Sequence, residues 1–219
     1  MRNIKNYLLI TIVLFIANGT FAQGISKYGQ IISTTTSYLN KNGGIGFYDG
    51  LTLTGNVTIS PLGPGIKYQG GTIVYLFQNG DTGYVPGETH GLIASNEDVG
   101  YTGWGCPGVA TNAIGTVIGT GVTNTATILA ICNAAGTPAK LCDDYAGGGY
   151  TDWYWPSKDE LNKIYLTLSY FTNVNAYLYW SSSEVSSANA IRQHMAPGNG
   201  GQPQFGKNSN SHIRAMRTF

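Results

Sequence analysis

The sequence DWYWPSKDEL at residues 152–161 carries the clearest structural signal in the chain. Ser157 and Glu160 have the spacing of a capping box, in which the serine hydroxyl accepts the amide of Glu160 and the glutamate carboxylate accepts the amide of Ser157. Behind the box, apolar residues recur at helical spacing, at Leu161, Ile164, Tyr165 and Leu168. This pattern predicts an amphipathic helix whose apolar stripe packs against the rest of the domain.

On either side of this helix the chain reads as short strands, a second helical segment and long loops. The run GTIVYLF at residues 71–77 is apolar, β-branched and aromatic, which is typical of a buried strand. Further strands are predicted at residues 90–94, 178–182, 188–194 and 211–219, and a helical segment at residues 123–145 that residues 136–138 interrupt. This order indicates an α+β domain, with two helices flanking a small, mainly antiparallel sheet and long loops.

The N-terminus predicts export. A positively charged start, an apolar run at residues 7–17 and small residues at 18–22 follow one another. This is the layout of a cleavable signal peptide over residues 1–22. The competing interpretation is a retained membrane anchor. A membrane span needs about 20 apolar residues, and this apolar run is shorter. Residues 23–70, short apolar pieces between Gly, Asn and Pro, predict an N-terminal extension or stalk.

The composition narrows the classes of function. Only 11% of the residues are charged and the net charge is +1, whereas nucleic-acid-binding proteins carry a basic stripe. A hydrophobic fraction of 42% with 12% aromatic residues can fill a core, which argues against disorder. No second long apolar stretch follows the N-terminus, so no membrane span is expected after signal cleavage. The expected location is the periplasm, the outer cell surface or the medium.

Three cysteines leave one unpaired if two form a disulfide, as expected in an oxidising compartment. Cys142 shares one face of a predicted helix with Ala139 and Tyr145, which fits a buried free thiol. The favoured pairing is therefore Cys106 with Cys132. Pairing of Cys132 with Cys142 is the alternative.

Three motifs resemble those of a bacterial family of unknown function that includes the C-terminal domains of collagen-like adhesins. Residues 152–161 resemble its D-W-x-L-P-[ST]-x-x-E-L signature, with Trp155 in place of the usual leucine. Residues 179–184 (YWSSSE) resemble its Y-W-S-S-[ST] strand, and residues 213–219 (IRAMRTF) resemble its closing V-R-x-V-R strand. The similarity extends over about residues 71–219.

This resemblance implies a C-type-lectin-like domain at residues 71–219, a fold that the family shares with formylglycine-generating enzyme. It also implies that the first and last strands pair and that a long loop region carries binding. The residues with an expected structural role are Trp153, Pro156, Ser157, Glu160, Trp180, Arg214 and Arg217. Arg214 and Arg217 are three apart on a strand and so point to opposite faces. One of the two is expected to pair with a carboxylate, the candidates being Asp152, Glu160 and Glu184.

Catalytic and metal-binding motifs are absent from the sequence. It has no G-x-S-x-G, H-E-x-x-H or C-x-x-C motif, and its three histidines are isolated. The redox enzymes of the lectin-like fold need reactive cysteines late in the domain, but no cysteine follows Cys142. Residues 202–204 (QPQ) have the shape of a lectin calcium triplet without its carboxylate, and residues 185–219 contain no Asp or Glu. Neither catalysis nor a metal or cofactor is therefore expected.

Polar and aromatic loops instead predict a binding protein, because Asn, Gln and Ser hydrogen-bond adaptably while Tyr and Trp offer rigid surface. The binding face is expected on the loops at residues 95–121 and 185–210, with contacts from Trp104, Asn189, Arg192, Gln193, His194, Asn199, Gln202, Gln204, Lys207 and Asn208. The predicted function is an exported adhesion module that recognises a glycan or a cell-surface protein without calcium. Two alternatives stay open. One is a structural subunit that docks into a surface assembly through residues 23–70, and the other is a cysteine-dependent enzyme of formylglycine-generating type that uses Cys106.

Overall fold

The computed structural model describes residues 62–174 and 177–219, together with a short antiparallel pair of strands, β1 (Tyr38–Leu39) and β2 (Ile45–Gly46). The predicted signal peptide and most of the predicted stalk lie outside the described residues. The chain divides after Leu62 into two units. The second unit, Gly63–Phe219, contains the predicted domain.

The second unit has an α+β architecture, as the sequence predicts, but it contains two mainly antiparallel sheets and three α-helices where one small sheet and two helices were expected. Its strands are β3 (Lys67–Tyr68), β4 (Gly71–Leu76), β5 (Gly91–Ser95), β6 (Gly100–Thr102), β7 (Leu178–Glu184), β8 (Asn189–His194), β9 (Gln204–Gly206), β10 (Ser211–Ile213) and β11 (Met216–Thr218). One sheet has the order β11-β5-β4-β3, and the other has the order β6-β10-β7-β8-β9. Among these strand pairs only β10 with β7 is parallel.

Three helices accompany the sheets: α1 (Gly121–Ile131), α2 (Pro138–Asp143) and α3 (Lys158–Leu166). The first begins two residues before the predicted start. Only glycine fits at its first position, since a Cβ on Gly121 would lie 2.2 Å from Oε2 of Glu160. In the described part of the chain, no helix is long and apolar enough to cross a membrane.

The predicted closing strand at residues 211–219 is wrong as a single element. The chain leaves the five-stranded sheet after Ile213, and Arg214 and Ala215 carry it into the four-stranded sheet, where β11 pairs with β5. The expected pairing of the first and last strands is also wrong, since β5 lies between β11 and β4. Strands β4 and β5 are neighbours in sequence, and such neighbours commonly pair with each other.

The predicted capping box is present at the start of α3. The amide of Ser157 donates to Oε2 of Glu160 at 2.8 Å, and the amide of Glu160 donates to the Ser157 hydroxyl at 3.5 Å. Glu160 is fully buried, and burial raises the pKa of its carboxyl group. Its other carboxylate oxygen accepts from the Gly119 amide at 2.9 Å and the Tyr154 hydroxyl at 3.2 Å. The carboxylate therefore joins the end of the long loop to helix α3, and it has no arginine partner.

The core holds both tryptophans and both arginines of the predicted signature. Trp153 and Trp180 are buried and donate through Nε1 to the carbonyls of Gly147 and Ser209, and Pro156 is buried as well. Arg217 makes the expected carboxylate pair with Asp152, through Nε at 2.7 Å and Nη2 at 2.8 Å. Arg214 is fully buried and pairs instead with Asp98, at 2.5 Å. The side chains that pack α3 between the strands include Val74, Leu92, Leu161, Ile164, Tyr179 and Met216.

Removing the Ser157 hydroxyl should destabilise the domain. In Ser157→Ala we expect the free energy of unfolding to fall by about 1–2 kcal/mol, because the helix loses its cap and the hydroxyl no longer donates to the Val117 carbonyl at 2.9 Å. Chemical denaturation followed by circular dichroism measures the change. Ser169→Ala, at an exposed serine, is the control and should be close to neutral. Equal stability of the two variants would contradict the role of the cap.

Candidate ligand-binding pocket

The ten side chains predicted to bind ligand do not form one surface. Trp104, Arg192, Gln193 and Lys207 are buried, so the prediction that they line an exposed binding loop is corrected. Asn199, Gln204 and Asn208 are exposed, while Asn189, His194 and Gln202 are partly exposed. Of the ten, His194 alone is among the residues that line the pocket described below.

Packing and internal hydrogen bonds account for most of the burial. The Trp104 ring lies 5.3 Å from that of Trp155 and donates to the Ser181 carbonyl at 2.8 Å. Gln193 donates to the Gly200 carbonyl at 2.9 Å. Both side chains therefore hold loops onto the five-stranded sheet.

A pocket of about 510 Å³ opens where four strands of the five-stranded sheet come together at one end. The side chains that line it are Tyr101, Tyr177, Leu178, His194, Asn210, Ser211 and His212. They come from β6, the start of β7, the end of β8 and the start of β10. The sheet order therefore assembles the pocket from segments that are far apart in sequence.

Three tyrosine rings surround the imidazole of His212. The ring of Tyr177 stacks on it with an interplanar angle of 8° at 5.8 Å, while those of Tyr101 and Tyr179 lie 4.9 and 5.1 Å away. Tyr101 and Tyr177 are 61% and 65% exposed. Large aromatic side chains this exposed offer flat apolar surface to a ligand.

Asp98 contacts two members of this aromatic cluster, His212 and Tyr179. Its Oδ2 lies 2.9 Å from Nδ1 of His212 and accepts from the Tyr179 hydroxyl at 3.0 Å, while Oδ1 pairs with Arg214 at 2.5 Å. Because a carboxylate only accepts, Nδ1 of His212 carries the hydrogen. The orientation of the imidazole is thereby fixed.

Most of the unpartnered buried polar atoms lie on the same sheet. Among the residues that the structure describes, the buried side-chain atoms without a hydrogen-bond partner are Nε and Nη2 of Arg192, Nδ1 of His194, Oγ of Ser211 and Nε of Arg214. His194 and Ser211 line the pocket, and Ser211 is only 1% exposed. A buried polar group that lacks a partner costs about 1–3 kcal/mol, so each one calls for an explanation. A polar ligand in the pocket would supply partners.

Besides the Glu160 contact, a disulfide and a buried ion pair hold the long loop that leads to α1. Cys106 and Cys132 form a disulfide, which confirms the favoured pairing, and Cys142 is free and buried. Burial raises the pKa of the Cys142 thiol well above its ordinary value. The buried ion pair joins Lys207 and Glu184.

Glu184 is central to this ion pair. Its carboxylate accepts the amides of Thr111 and Asn112, and the Lys207 ammonium donates to the Val109 carbonyl at 2.9 Å. Burial alone would raise the pKa of Glu184, but Lys207 and the two amides outweigh burial and lower it. The loop is thus fixed onto strand β7.

No metal centre is evident in the described part of the chain, where no group of three or more His, Cys, Asp or Glu side chains is placed to share an ion.

The residues that matter most in this pocket were missed by reasoning from the sequence. Tyr101 and Asp98 lie within the loop at residues 95–121 where binding was expected, although neither was named, and Tyr177 and His212 lie outside both expected loops. No local motif marks them, because the strand register that gathers them is non-local: Tyr101 pairs with His212, and His212 with Tyr179. The cluster of tyrosines at residues 177–179 is the one local hint.

Comparisons with known proteins give little. No protein-family model and no curated protein matches the chain. Among solved structures, a fimbrial protein from Bacteroides ovatus ATCC 8483 is similar with a TM-score of 0.42 and 15% sequence identity. The alignment covers 58% of this chain and 35% of that protein, so the chain spans about a third of that protein's length.

Proposed function

We propose that this domain is an exported, C-type-lectin-like recognition module that binds a glycan in the pocket formed by Tyr101, Tyr177 and His212. The observation that carries the proposal is the meeting of exposed aromatic faces with buried, unpartnered polar atoms. Sugars present both complementary surfaces, since the C–H face of the ring is apolar and the hydroxyl groups around its rim are polar. A ligand site of this size is typically an apolar surface with a few placed polar groups.

Binding would not need calcium. None of the seven side chains that line the pocket is a carboxylate, and calcium sites require several oxygen ligands including carboxylates. Asp98 lies behind His212 and is occupied by His212, Tyr179 and Arg214. Recognition would therefore depend on stacking and direct hydrogen bonds.

The proposed export rests on two independent features. The signal-peptide pattern at residues 1–22 directs a chain out of the cytoplasm, and a structural disulfide is typical of an oxidising compartment. The disulfide also bears on the enzymatic alternative. Cys106 is bonded to Cys132 and so is not a free nucleophile.

Removing the stacking rings should weaken recognition without unfolding the domain. For Tyr177→Ala we expect glycan affinity to fall about 3- to 10-fold, and for Tyr101→Ala combined with Tyr177→Ala about 10- to 100-fold, given what one aromatic contact contributes. Both rings are mostly exposed, so the thermal midpoint should hardly change. A glycan array probed with the full chain identifies the ligand, and titration calorimetry gives the affinities.

Two control variants separate stacking from general surface effects. Tyr177→Phe keeps the ring and should bind nearly as well as the wild type. Tyr170→Ala removes another tyrosine, half exposed and away from the pocket, and should bind normally. A folded protein that binds no glycan on the array would overturn the proposal and favour a structural subunit. Binding that survives the double alanine variant would place the site elsewhere.

A further inference from the structure

Arg192 is a buried cation held between two aromatic rings. It lies at the centre of β8, it is only 4% exposed, and its guanidinium carbon lies 4.1 Å from the Trp180 ring and 4.4 Å from the Phe205 ring. Trp180 belongs to β7 and Phe205 to β9, the strands on either side. The two rings therefore border a flat slot that contains the guanidinium.

The guanidinium of Arg192 differs from those of the other arginines that the structure describes. Arg217 grips Asp152 through Nε and Nη2, and Arg214 pairs with Asp98. In Arg192 these same two atoms, Nε and Nη2, are buried without an acceptor. A buried charge without a counter-ion is costly, and burial lowers the pKa of this guanidinium accordingly. The Nε–Nη2 edge matches a carboxylate, as Arg217 demonstrates in the same molecule.

Arg192 adjoins the proposed glycan pocket. Residues two apart on a strand share a face, so Arg192 and His194 point to the same side of the sheet, about 6.6 Å apart along the strand. His194 pairs with Leu178 and Arg192 with Trp180 in the register of β7 and β8. The unpartnered atoms of His194 and Arg192 therefore lie on one face of β8, and His194 also lines the pocket.

The shape of the slot distinguishes between anions. A carboxylate is planar and can lie in the plane of the guanidinium, between the two rings. A sulfate or phosphate group is tetrahedral, and its out-of-plane oxygens would meet the faces of Trp180 and Phe205. These aromatic faces are negative and repel anions. The slot therefore favours a carboxylate.

From this geometry we infer that the glycan ligand carries a carboxylate, as a uronic acid or another acidic sugar does, and that Arg192 binds it through Nε and Nη2. The inference rests on the proposed function, since it places the sugar ring in the pocket of Tyr101 and Tyr177. Phe205 covers the guanidinium from the edge strand and is 41% exposed. Ligand binding to Arg192 therefore requires the Phe205 ring to move toward solvent.

The test is an array in which each carboxylated glycan is paired with its methyl ester, which has the same shape and no charge. The full chain should bind the acid about 10- to 100-fold more tightly than the ester, the range expected for hydrogen bonds to a charged group. Arg192→Met should lose that preference, and Arg192→Lys should recover only a small part, because a lysine lacks the two-donor edge. Lys140→Met removes a positive charge from an ion pair on α2 and should leave the preference intact.

A stability measurement separates binding from packing. Arg192→Met removes an unpaired buried charge and keeps a flexible side chain against both rings, so its thermal midpoint should equal or exceed that of the wild type. A clear loss of stability would show that Arg192 serves the fold and would overturn the inference. If the acid and the ester bind equally and binding still depends on Tyr177, the inferred carboxylate recognition is overturned while the proposed glycan function stands. If sulfated glycans bind as tightly as carboxylated ones, the inferred preference of the slot for a planar anion is overturned. If no glycan binds, both proposals are overturned.

Discussion

Lys207→Met is expected to lower the free energy of unfolding by about 3–5 kcal/mol, the cost of leaving one member of a buried ion pair without its partner. The Lys207 and Glu184 side chains are 0% and 2% exposed. The lysine also lies 4.3 Å from the Trp104 ring and binds the Val109 carbonyl. Its loss leaves the Glu184 carboxylate buried with only the loop amides as partners. Urea denaturation at neutral pH measures the effect.

The pH dependence of this effect has a definite sign. Since the pKa of Glu184 is lowered in the folded protein, the stability that its ionised form contributes is complete above the unfolded pKa, which is about 4.3. It is lost as the pH falls through the folded value. The difference between the wild type and Lys207→Met should therefore narrow below about pH 4, because acid neutralises the unpaired carboxylate in the variant.

Two further variants test the same pair. Adding Glu184→Gln to Lys207→Met removes the unpaired charge and should restore part of the lost stability at neutral pH. Lys140→Met disrupts an exposed ion pair with Asp143 and should give no measurable change. If the double variant were less stable than Lys207→Met by the full cost of a second independent mutation, the two side chains would not be coupled and the role of the pair would be contradicted.

Local signals in the sequence predict local structure well. The Ser157 and Glu160 box needs only four residues to form, and α3 begins where the box predicts. Strands β4, β5, β7 and β8 also lie close to their predicted positions, which were identified from apolar runs bounded by Gly, Asn or Ser. The prediction of one closing strand was wrong because no Gly or Pro between Ile213 and Met216 interrupts the strand-like pattern. The chain nevertheless changes sheets there. That change depends on Arg214 reaching Asp98 and the Ser95 carbonyl, contacts more than a hundred residues away in sequence.

The candidate site could not be predicted in the same way. Polarity guided the choice of Gln193 and Lys207, but a polar side chain can be buried when its hydrogen bonds are satisfied, and both are. Trp104 stood in a Gly-rich loop, yet the loop folds onto the sheet because Glu184 binds its backbone. The pocket itself needs the register of β6, β10, β7 and β8. Pairing between strands so distant in sequence leaves no periodic pattern to read.

Loss of the Cys106–Cys132 disulfide should be the second large effect on stability. The bond closes a loop of 26 residues, for which the chain-entropy relation gives about 3.5 kcal/mol. We expect Cys106→Ser combined with Cys132→Ser to lose about that amount in chemical denaturation, and dithiothreitol to destabilise the wild type similarly. The reductant should not affect the double serine variant, which is the control for its other actions. Cys142→Ala keeps the bond and should still respond to reductant. Because the bond joins Cys106 to the end of α1, its loss should also loosen the loop at residues 103–120 while the pocket, which lies on β6 and its neighbours, retains its ligand. Stability that did not change on reduction would show that the noncovalent contacts, among them those of Glu184 and Glu160, hold the loop in place without the disulfide.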